Sequence, residues 1–106
     1  MWNVPSKKRL SKVPTLLETE HVPHEERLIF LHFFIGGSHW YAAEFDGTDF
    51  FFGYVVQNSD YQNGAWGYFR LSDLKKVRIA GRIEVDCERE TNWKIRKASE
   101  IKMIKV

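Results

Sequence analysis

The stretch HWYAAEFDGTDFFFGYV, from His39 to Val55, decides the fold of this chain. It consists of two aromatic-rich runs separated by DGT, and an Asp-Gly pair between such runs favours a β-hairpin because Gly47 tolerates a positive φ. Before it, the apolar run RLIFLHFFI begins at Arg27 and ends at a glycine turn that starts at Gly36. The spacing predicts consecutive antiparallel strands on both sides of the hairpin turn.

Side chains alternate between the two faces of a strand. In the strand that begins near His39, this alternation predicts one face with Trp40, Ala42 and Glu44 and the other with Tyr41, Ala43 and Phe45. Neither face is plainly polar, so we expect the strand to lie centrally in a sheet or to be covered on both faces. Glu44 is then an acidic side chain on a crowded face, and the sequence leaves open whether it serves chemistry or architecture.

Further elements follow the hairpin. WGYFRL, which begins at Trp66, predicts a third aromatic strand, and SDLKKV predicts a short helix with Ser72 as its N-cap. RIEVDC predicts a half-buried strand in which Ile83, Val85 and Cys87 face inward. The tail NWKIRKASEIKMIKV fits either a strand or a helix.

Together these elements predict an α+β fold, an antiparallel meander sheet of about 4–5 strands with one or two short helices. A chain of 106 residues is about one domain in length, and no Pro/Gly/Ser-rich linker divides it. Residues 1–12, which contain KKR and Lys12, are predicted to form a basic N-terminal arm. We expect residues 13–106 to form a single small domain.

Charge and cysteine content exclude several classes of protein. The formal charge of +2 is too small to indicate a polyanion partner by itself. Cys87 is the only cysteine, which excludes an intramolecular disulfide and a cysteine-based zinc cluster. Because neither a signal peptide nor a membrane-spanning apolar run is found, we expect a soluble, cytoplasmic protein with no membrane contact.

Several of these motifs resemble a bacterial family known as domain of unknown function 2958, which is often carried by plasmids and other mobile elements. The resemblance runs from about Leu10 to Asp86 and rests on VPTL, WYAAEFD, FFFGYV, WGYFRLSDLKKVR and IEVD. It implies an intracellular protein of a mobile element, and it brings no established activity. The family's Trp-Tyr-x-x-Glu pattern corresponds to Trp40, Tyr41 and Glu44.

The chain departs from this family at two places. The family's Ile-Glu-Arg-Asp corresponds to a segment from Ile83 to Asp86 in which Val85 replaces the arginine. An acidic residue that commonly precedes the family's Gly-Tyr-Phe is also absent, since Ala65 and Trp66 occupy those positions. A cluster of arginine and carboxylate side chains shared with the family is therefore not expected in this chain.

Three carboxylates, Glu44, Glu84 and Asp86, are the candidate catalytic residues. Glu84 and Asp86 are two apart on a predicted strand, so they project from one face, and a neighbouring strand could bring Glu44 beside them. Converging carboxylates would hold a divalent cation, or raise one pKa enough for general acid catalysis, as in a metal-dependent hydrolase. In the simpler interpretation, which we favour, Glu84 and Asp86 form a solvent-facing surface beside Arg82, and Glu44 pairs with a nearby basic residue.

The histidines do not predict a metal site. His21 and His24 form HVPH, whose proline argues against a pair on one helix, and no second pair lies at a useful spacing. His32 lies in an apolar strand, where a core or interface histidine is more common than a ligand. Cys87 is expected to be a buried, inert thiol. We predict no metal and no cofactor.

The aromatic content favours binding. Five aromatic residues exceed what a small core needs and are candidate binding residues, namely Trp40, Tyr41, Tyr61, Trp66 and Tyr68. Interfaces are rich in such side chains. With Arg78 and Arg82 nearby, an aromatic sheet face fits a protein, a second copy of the chain, or stacked single-stranded nucleic acid. The alternative is that most of these aromatic residues pack inward.

The sequence therefore predicts a small, non-enzymatic intracellular binding module, encoded by a mobile element if the resemblance holds. Docking on a protein partner is the first hypothesis, with modulation of DNA transfer or of host defence as an analogy-based role. Direct binding of nucleic acid through the aromatic and basic face is the second. A carboxylate- and metal-dependent hydrolase is the third.

Overall fold

The computed structural model describes residues 1–105. It contains two four-residue α-helices, α1 (Lys7–Leu10) and α2 (Leu71–Leu74). The strands are β1 (Leu28–Ile29), β2 (Leu31–Ile35), β3 (Ser38–Phe45), β4 (Phe50–Val56), β5 (Ala65–Arg70), β6 (Arg78–Ile79), β7 (Ile83–Glu84), β8 (Asp86–Cys87) and β9 (Arg96–Lys97). Short 3-10 turns span His24–Glu26, Tyr61–Asn63 and Ala98–Glu100. No helix in this part of the chain is long and apolar enough to cross a bilayer.

Five strands form one antiparallel sheet in the order β5-β4-β3-β2-β8. The first four follow one another as a meander, which confirms the predicted antiparallel α+β architecture. Two short pairs, β1 with β9 and β6 with β7, lie outside this sheet. The predicted hairpin turn joins β3 to β4, where Gly47 has a φ of 90°. Asp46 Oδ1 supports the turn by accepting hydrogen bonds from the N–H groups of Thr48, Asp49 and Phe50.

A β-bulge interrupts β3 at Ala43. Ala42 pairs with Gly53 and Glu44 pairs with Phe52, so three residues of β3 span two residues of β4. An extra residue on one strand reverses the alternation of side chains beyond it. The bulge therefore places Glu44 on the face that Phe45 would occupy in a regular strand.

The predicted alternation is wrong beyond the bulge. Phe45 packs in the same cluster as Trp40 and Ala42, although a regular strand would place it on the opposite face. Glu44 shares the face of Tyr41 instead. The alternating pattern predicts the strand correctly. It predicts the wrong face for Glu44 and Phe45, because the extra residue at Ala43 breaks the alternation.

The sheet is covered on both faces. The front cluster is closed by the N-terminal segment and α2, and its buried residues are Val13, Leu31, Phe33, Ile35, Trp40, Ala42, Phe45, Phe51, Leu71, Leu74, Val85 and Cys87. The back cluster is closed by the C-terminal segment, and its buried residues are Ile29, Tyr41, Ala43, Tyr54, Val56, Trp93, Ala98, Ile101 and Ile104. Because both faces are apolar and covered, the central position predicted for β3 is confirmed.

Residues 1–12 lie against the front cluster. Trp2 N–H donates to Val85 C=O over 3.1 Å, and α1 is capped by Ser6, whose side chain accepts from Arg9 N–H. The Arg9 side chain is buried, and its Nη1 lies 3.8 Å from Cys87 Sγ. Burial raises the pKa of Cys87 to about 11, so the thiol is protonated at neutral pH. The basic segment thus contributes to the packing of the domain.

Two local predictions for the segment after β5 are wrong. The N-cap of α2 is Arg70, and Ser72 is itself held by Asp49, which accepts hydrogen bonds from Ser72 N–H (2.8 Å) and Ser72 Oγ–H (2.6 Å). RIEVDC forms two short strands with different partners, since β7 pairs with β6 and β8 pairs with β2. Ile83 is consequently 44% exposed, whereas Val85 and Cys87 are buried as predicted.

Candidate functional site

Glu44 is a structural residue. Its side chain is 2% exposed and accepts hydrogen bonds from Leu17 N–H and Thr19 N–H, each over 2.9 Å, and from the Thr19 hydroxyl. Leu17 has a φ of 68°, a left-handed conformation that is unfavourable for a branched side chain. The carboxylate therefore holds the loop around residues 15–19 in a strained shape against the sheet. Glu44 is expected from the sequence to pair with an arginine or lysine, but its carboxylate is bound by these three donors.

Glu84 and Asp86 lie on separate strands with separate partners. Glu84 Oε1 contacts the N-terminal amine of Met1 and lies 3.9 Å from Arg78 Nη2. The hydrogen bond from the Met1 amine, together with the Arg78 guanidinium, lowers the pKa of Glu84. Asp86 Oδ1 accepts from Cys87 N–H over 2.8 Å.

The three candidate carboxylates do not form a common site. Glu44 faces the loop before β1, and Glu84 faces the chain terminus and Arg78. Among residues 1–105, no group of three His, Cys, Asp or Glu side chains is arranged to hold a metal ion. The alternative in which Glu44, Glu84 and Asp86 converge is therefore wrong.

The candidate binding aromatics divide into buried and accessible residues. Trp40 and Tyr41 are 8% and 3% exposed and belong to the front and back clusters, so their expected role on a binding surface is corrected to a role in the core. Tyr61 is 40% and Tyr68 58% exposed. Trp66 is half-buried, and its ring stacks on His24 with the centroids 4.6 Å apart.

The two candidate arginines belong to the β6–β7 hairpin, which is separate from the strand that carries Trp66 and Tyr68. Arg78 is on β6, where its Nη1 donates to the carbonyls of Lys75 and Val77. Arg82 is exposed in the turn between β6 and β7. The accessible aromatics Trp66 and Tyr68 are on β5 at one edge of the main sheet. Among the described residues, the arginines therefore share no strand pair with the β5 aromatics, and Arg78 lines a pocket with the buried Trp40 instead.

The β5 strand presents unpaired backbone groups. Leu71 N–H donates to Asp49 C=O over 2.9 Å, which fixes the hydrogen-bonding parity of the β4–β5 ladder. By alternation, Ala65, Gly67 and Phe69 direct their N–H and C=O groups to β4, and Trp66 and Tyr68 direct theirs outward. No strand of residues 1–105 pairs with this side of β5. The N–H and C=O groups of Trp66 and Tyr68 are therefore positioned to pair with an added strand.

Concave surface with both apolar and polar lining residues flanks this edge on both sides. A pocket of about 150 Å³ is lined by Leu17, Phe52 and Tyr68 among others, and Leu17 is 61% exposed. A second pocket of about 340 Å³ is lined by residues that include Val55, Ala65 and Gly67. The accessible backbone of β5 is thus bordered by sites where neighbouring side chains would be received.

A partly buried chain of hydrogen bonds joins Glu88, His32 and His39. His32 Nδ1 lies 2.7 Å from Glu88 Oε1, and His32 Nε2 lies 2.9 Å from His39 Nδ1. Because an ionised carboxylate only accepts, His32 Nδ1–H donates to Glu88, and His39 Nδ1–H then donates to the unprotonated His32 Nε2. The imidazole of His32 also stacks on Tyr41, with the ring centroids 4.5 Å apart. This arrangement requires an unprotonated Nε2 on His32, a form that burial of the imidazole favours because burial lowers the pKa of His32.

Burial determines the direction in which the pKa values of His32, His39 and Tyr41 shift. It lowers the pKa of His32 and of His39, and this effect outweighs the opposing contribution of Glu88. Burial also raises the pKa of Tyr41 to about 12. The rings of His32, His39 and Tyr41 thus form a stacked layer, and the carboxylate of Glu88 accepts a hydrogen bond from His32.

Sequence reasoning missed the Glu88–His32–His39 chain. A signal was present, because a two-residue turn at Gly36–Gly37 pairs Phe34 with His39 and so makes His32 and His39 diagonal neighbours on one face. For Glu88 the sequence carried no signal, since it follows the short strand β8 in an irregular segment.

Comparison with known proteins gives no family, since no protein-family model, curated protein or solved structure matches the chain significantly.

Proposed function

We propose that this protein is a small, non-enzymatic binding module that docks on a partner protein, and that the partner adds an extended strand to the free edge of β5. The observation that carries this proposal is the outward direction of the backbone N–H and C=O groups of Trp66 and Tyr68 at that edge. An exposed strand edge is a template for pairing with another chain, and strand addition is a recurring mode of peptide recognition.

The composition of β5 supports this use of its edge. Proteins usually protect edge strands with lysine, proline, a bulge or a very short strand. β5 has six residues, pairs with β4 without a register shift, and contains neither lysine nor proline in AWGYFR. The arginine at its last position is its one charged residue. Its edge is therefore open to a strand.

The side chains next to the edge support a protein ligand. Tyr68 and Leu17 are the two most exposed of the large hydrophobic residues, and both line the pocket that contains Phe52. Alternate side chains of an added strand point to one face, so an apolar residue of the partner would enter this pocket while its backbone pairs with Tyr68. Aromatic residues of this kind are enriched at the centres of interfaces.

The cellular setting of this module is proposed from the resemblance alone. A mobile-element protein in the cytoplasm that docks on another protein fits a modulator of DNA transfer or of host defence, by analogy with other small proteins of such elements. Neither nucleic-acid binding nor hydrolysis is supported by a comparable arrangement of the described residues. The Arg78 guanidinium donates to the carbonyls of Lys75 and Val77 and lies beside Glu84, and the three carboxylates are separate.

The experiment compares Tyr68→Pro with Tyr68→Ala. Proline removes the outward N–H without removing a hydrogen bond to β4, whereas alanine removes only the ring. The bait is incubated with nuclease-treated host lysate, and the bound proteins are compared. We expect a protein that binds the wild type to bind Tyr68→Ala more weakly and not to bind Tyr68→Pro. Circular dichroism establishes that both variants are folded.

Hydrogen exchange of the wild type gives a second test that needs no variant. The captured protein is expected to slow exchange of the Trp66 and Tyr68 amides. A partner that binds Tyr68→Pro as tightly as the wild type, or that leaves both amides unprotected, would show that docking does not use this edge.

A further inference from the structure

The sequence of β5 is nearly self-complementary about Gly67. On one face of the strand, Trp66 and Tyr68 flank this glycine, and on the other face Ala65 and Phe69 lie two residues away on either side. A Cβ built on Gly67 meets nothing within 4 Å. An antiparallel strand of the same sequence centred on Gly67 would therefore place aromatic against aromatic and a small residue against a large one.

We infer that a second copy of this chain pairs with β5 in antiparallel orientation, with Gly67 of each copy on the two-fold axis. In this register Trp66 of one copy faces Tyr68 of the other, so that their outward N–H and C=O groups form two reciprocal pairs of hydrogen bonds. The two five-stranded sheets then become one continuous sheet. This inference rests on the proposed use of the β5 edge and names one occupant for it.

The parity of the ladder restricts the register. Only residues whose N–H and C=O groups point outward can pair across the two copies. Each Trp66 or Tyr68 must therefore face a Trp66 or a Tyr68 of the other copy, which excludes registers shifted by one residue. Among the allowed registers, the one centred on Gly67 places Phe69 opposite Ala65, next to the open pocket lined by Val55, Ala65 and Gly67.

Cysteine cross-linking tests the register directly. In the inferred dimer the two Gly67 residues form a non-hydrogen-bonded pair with Cα atoms about 4.5 Å apart, which is within the range for a disulfide. We expect Gly67→Cys to give mainly disulfide-linked dimer under mild oxidation. Ala65→Cys alone is the matched control and should stay monomeric on the gel, because Ala65 faces Phe69. A mixture of Ala65→Cys and Phe69→Cys should form the mixed dimer. The native thiol of Cys87 is buried and lies away from β5 in the chain.

Sedimentation provides the measurement without an introduced thiol. Tyr68→Pro removes two hydrogen bonds from the symmetric pair, so its dissociation constant should exceed that of Tyr68→Ala by about tenfold or more. A wild-type protein that sediments as a monomer at high concentration and a Gly67→Cys variant without cross-linked dimer would overturn the inference. Cross-linking through Tyr68→Cys in place of Gly67→Cys would equally overturn it, because it shows a different register.

The two proposals fail in different ways. If the chain is monomeric but Tyr68→Pro abolishes capture of another protein, the β5 edge is a docking site and the self-pairing is wrong. If the Gly67→Cys dimer forms and no other protein depends on the edge, self-association stands and docking on a different partner is wrong.

Discussion

Thr19 and Glu44 are joined by two hydrogen bonds, one from the backbone N–H and one from the hydroxyl of Thr19 to the same carboxylate oxygen. The other oxygen accepts from Leu17 N–H. A carboxylate with three donors at a buried position is satisfied without an ion pair. It fastens a loop that lies before the main sheet in sequence to the third strand of the chain, and it also shapes the pocket beside Tyr68.

Replacing Glu44 with Gln is expected to destabilise the fold by about 1–3 kcal/mol. The side-chain NH₂ of Gln cannot accept a hydrogen bond, so it leaves a donor of Leu17 or Thr19 without its acceptor. The free energy of unfolding in urea is the measurement. Glu25→Gln is the control, since Glu25 is exposed in a 3-10 turn and a surface change of this kind usually stays within about 0.5 kcal/mol. Equal stability of the two variants would contradict a structural role for Glu44.

Gly53 and Gly67 are paired across β4 and β5 but should respond oppositely to alanine. A Cβ on Gly53 would lie 1.9 Å from Tyr41 O, a backbone atom, whereas a Cβ on Gly67 meets nothing within 4 Å. We expect Gly53→Ala to lower the free energy of unfolding by about 1–3 kcal/mol or more. Gly67→Ala should leave it unchanged or raise it by about 0.4–1 kcal/mol. Thermal unfolding at low protein concentration compares the two, and a tolerated Gly53→Ala would refute the close approach of β3.

Stability should fall as the pH decreases below about 6.5. Above this pH both the folded and the unfolded chain hold His32 and His39 neutral. Below it the unfolded chain takes up protons at the ordinary pKa of 6.5, whereas the folded chain does so only at its lowered pKa values. Each histidine thus removes at most about 1.4 kcal/mol per pH unit, until the pH has passed its folded pKa.

Urea unfolding at several pH values between 7.5 and 5 measures this dependence. His32→Gln should reduce the slope of the free energy of unfolding against pH, whatever its effect at pH 7.5. His21→Gln is the control, because it makes the same substitution at an exposed histidine. A wild-type stability that stays constant or increases from pH 6.5 to pH 5 would show that the two imidazoles are not buried neutral.

Asp49→Ala should loosen α2, because Asp49 accepts from both the N–H and the hydroxyl of Ser72. Loss of a side-chain acceptor for a first-turn N–H of a helix costs about 0.5–2 kcal/mol. Asp49→Asn keeps an acceptor for Ser72 N–H and should retain most of the stability. Hydrogen bonding to Ser72 also lowers the pKa of Asp49, so the difference between wild type and Asp49→Asn should shrink as the pH falls through that lowered pKa. Denaturant unfolding of both variants at pH 7 and at acid pH measures these effects.

The hairpin and the strands could be predicted because their signals are local. Asp46 and Gly47 fix a turn between two aromatic runs, and Gly36–Gly37 fixes the turn before it. The face of Glu44 could not be predicted, because the bulge at Ala43 depends on how β3 meets β4 and leaves no mark on the period of the sequence. Hydrophobic side chains occur on both faces, so the pattern held no polar reference against which a shift would be noticed.

The candidate site was predictable only in part. Trp66 and Tyr68 stand on a strand that the sequence identified, and their accessibility follows from the position of β5 at the end of the strand order. That order depends on long-range pairing of β2 with β8, which left β5 as the edge. Pairing of this kind joins residues that are far apart in the chain, and no local pattern records it.

The cover of the back cluster comes from residues that follow every strand of the main sheet in the chain, among them Trp93, Ile101 and Ile104. During synthesis the five strands therefore leave the ribosome before the segment that shields Tyr41 and Tyr54. In that interval a broad apolar surface is open to water, and domains in this condition are prone to aggregate. This surface stays uncovered until the segment that carries Trp93, Ile101 and Ile104 has been made.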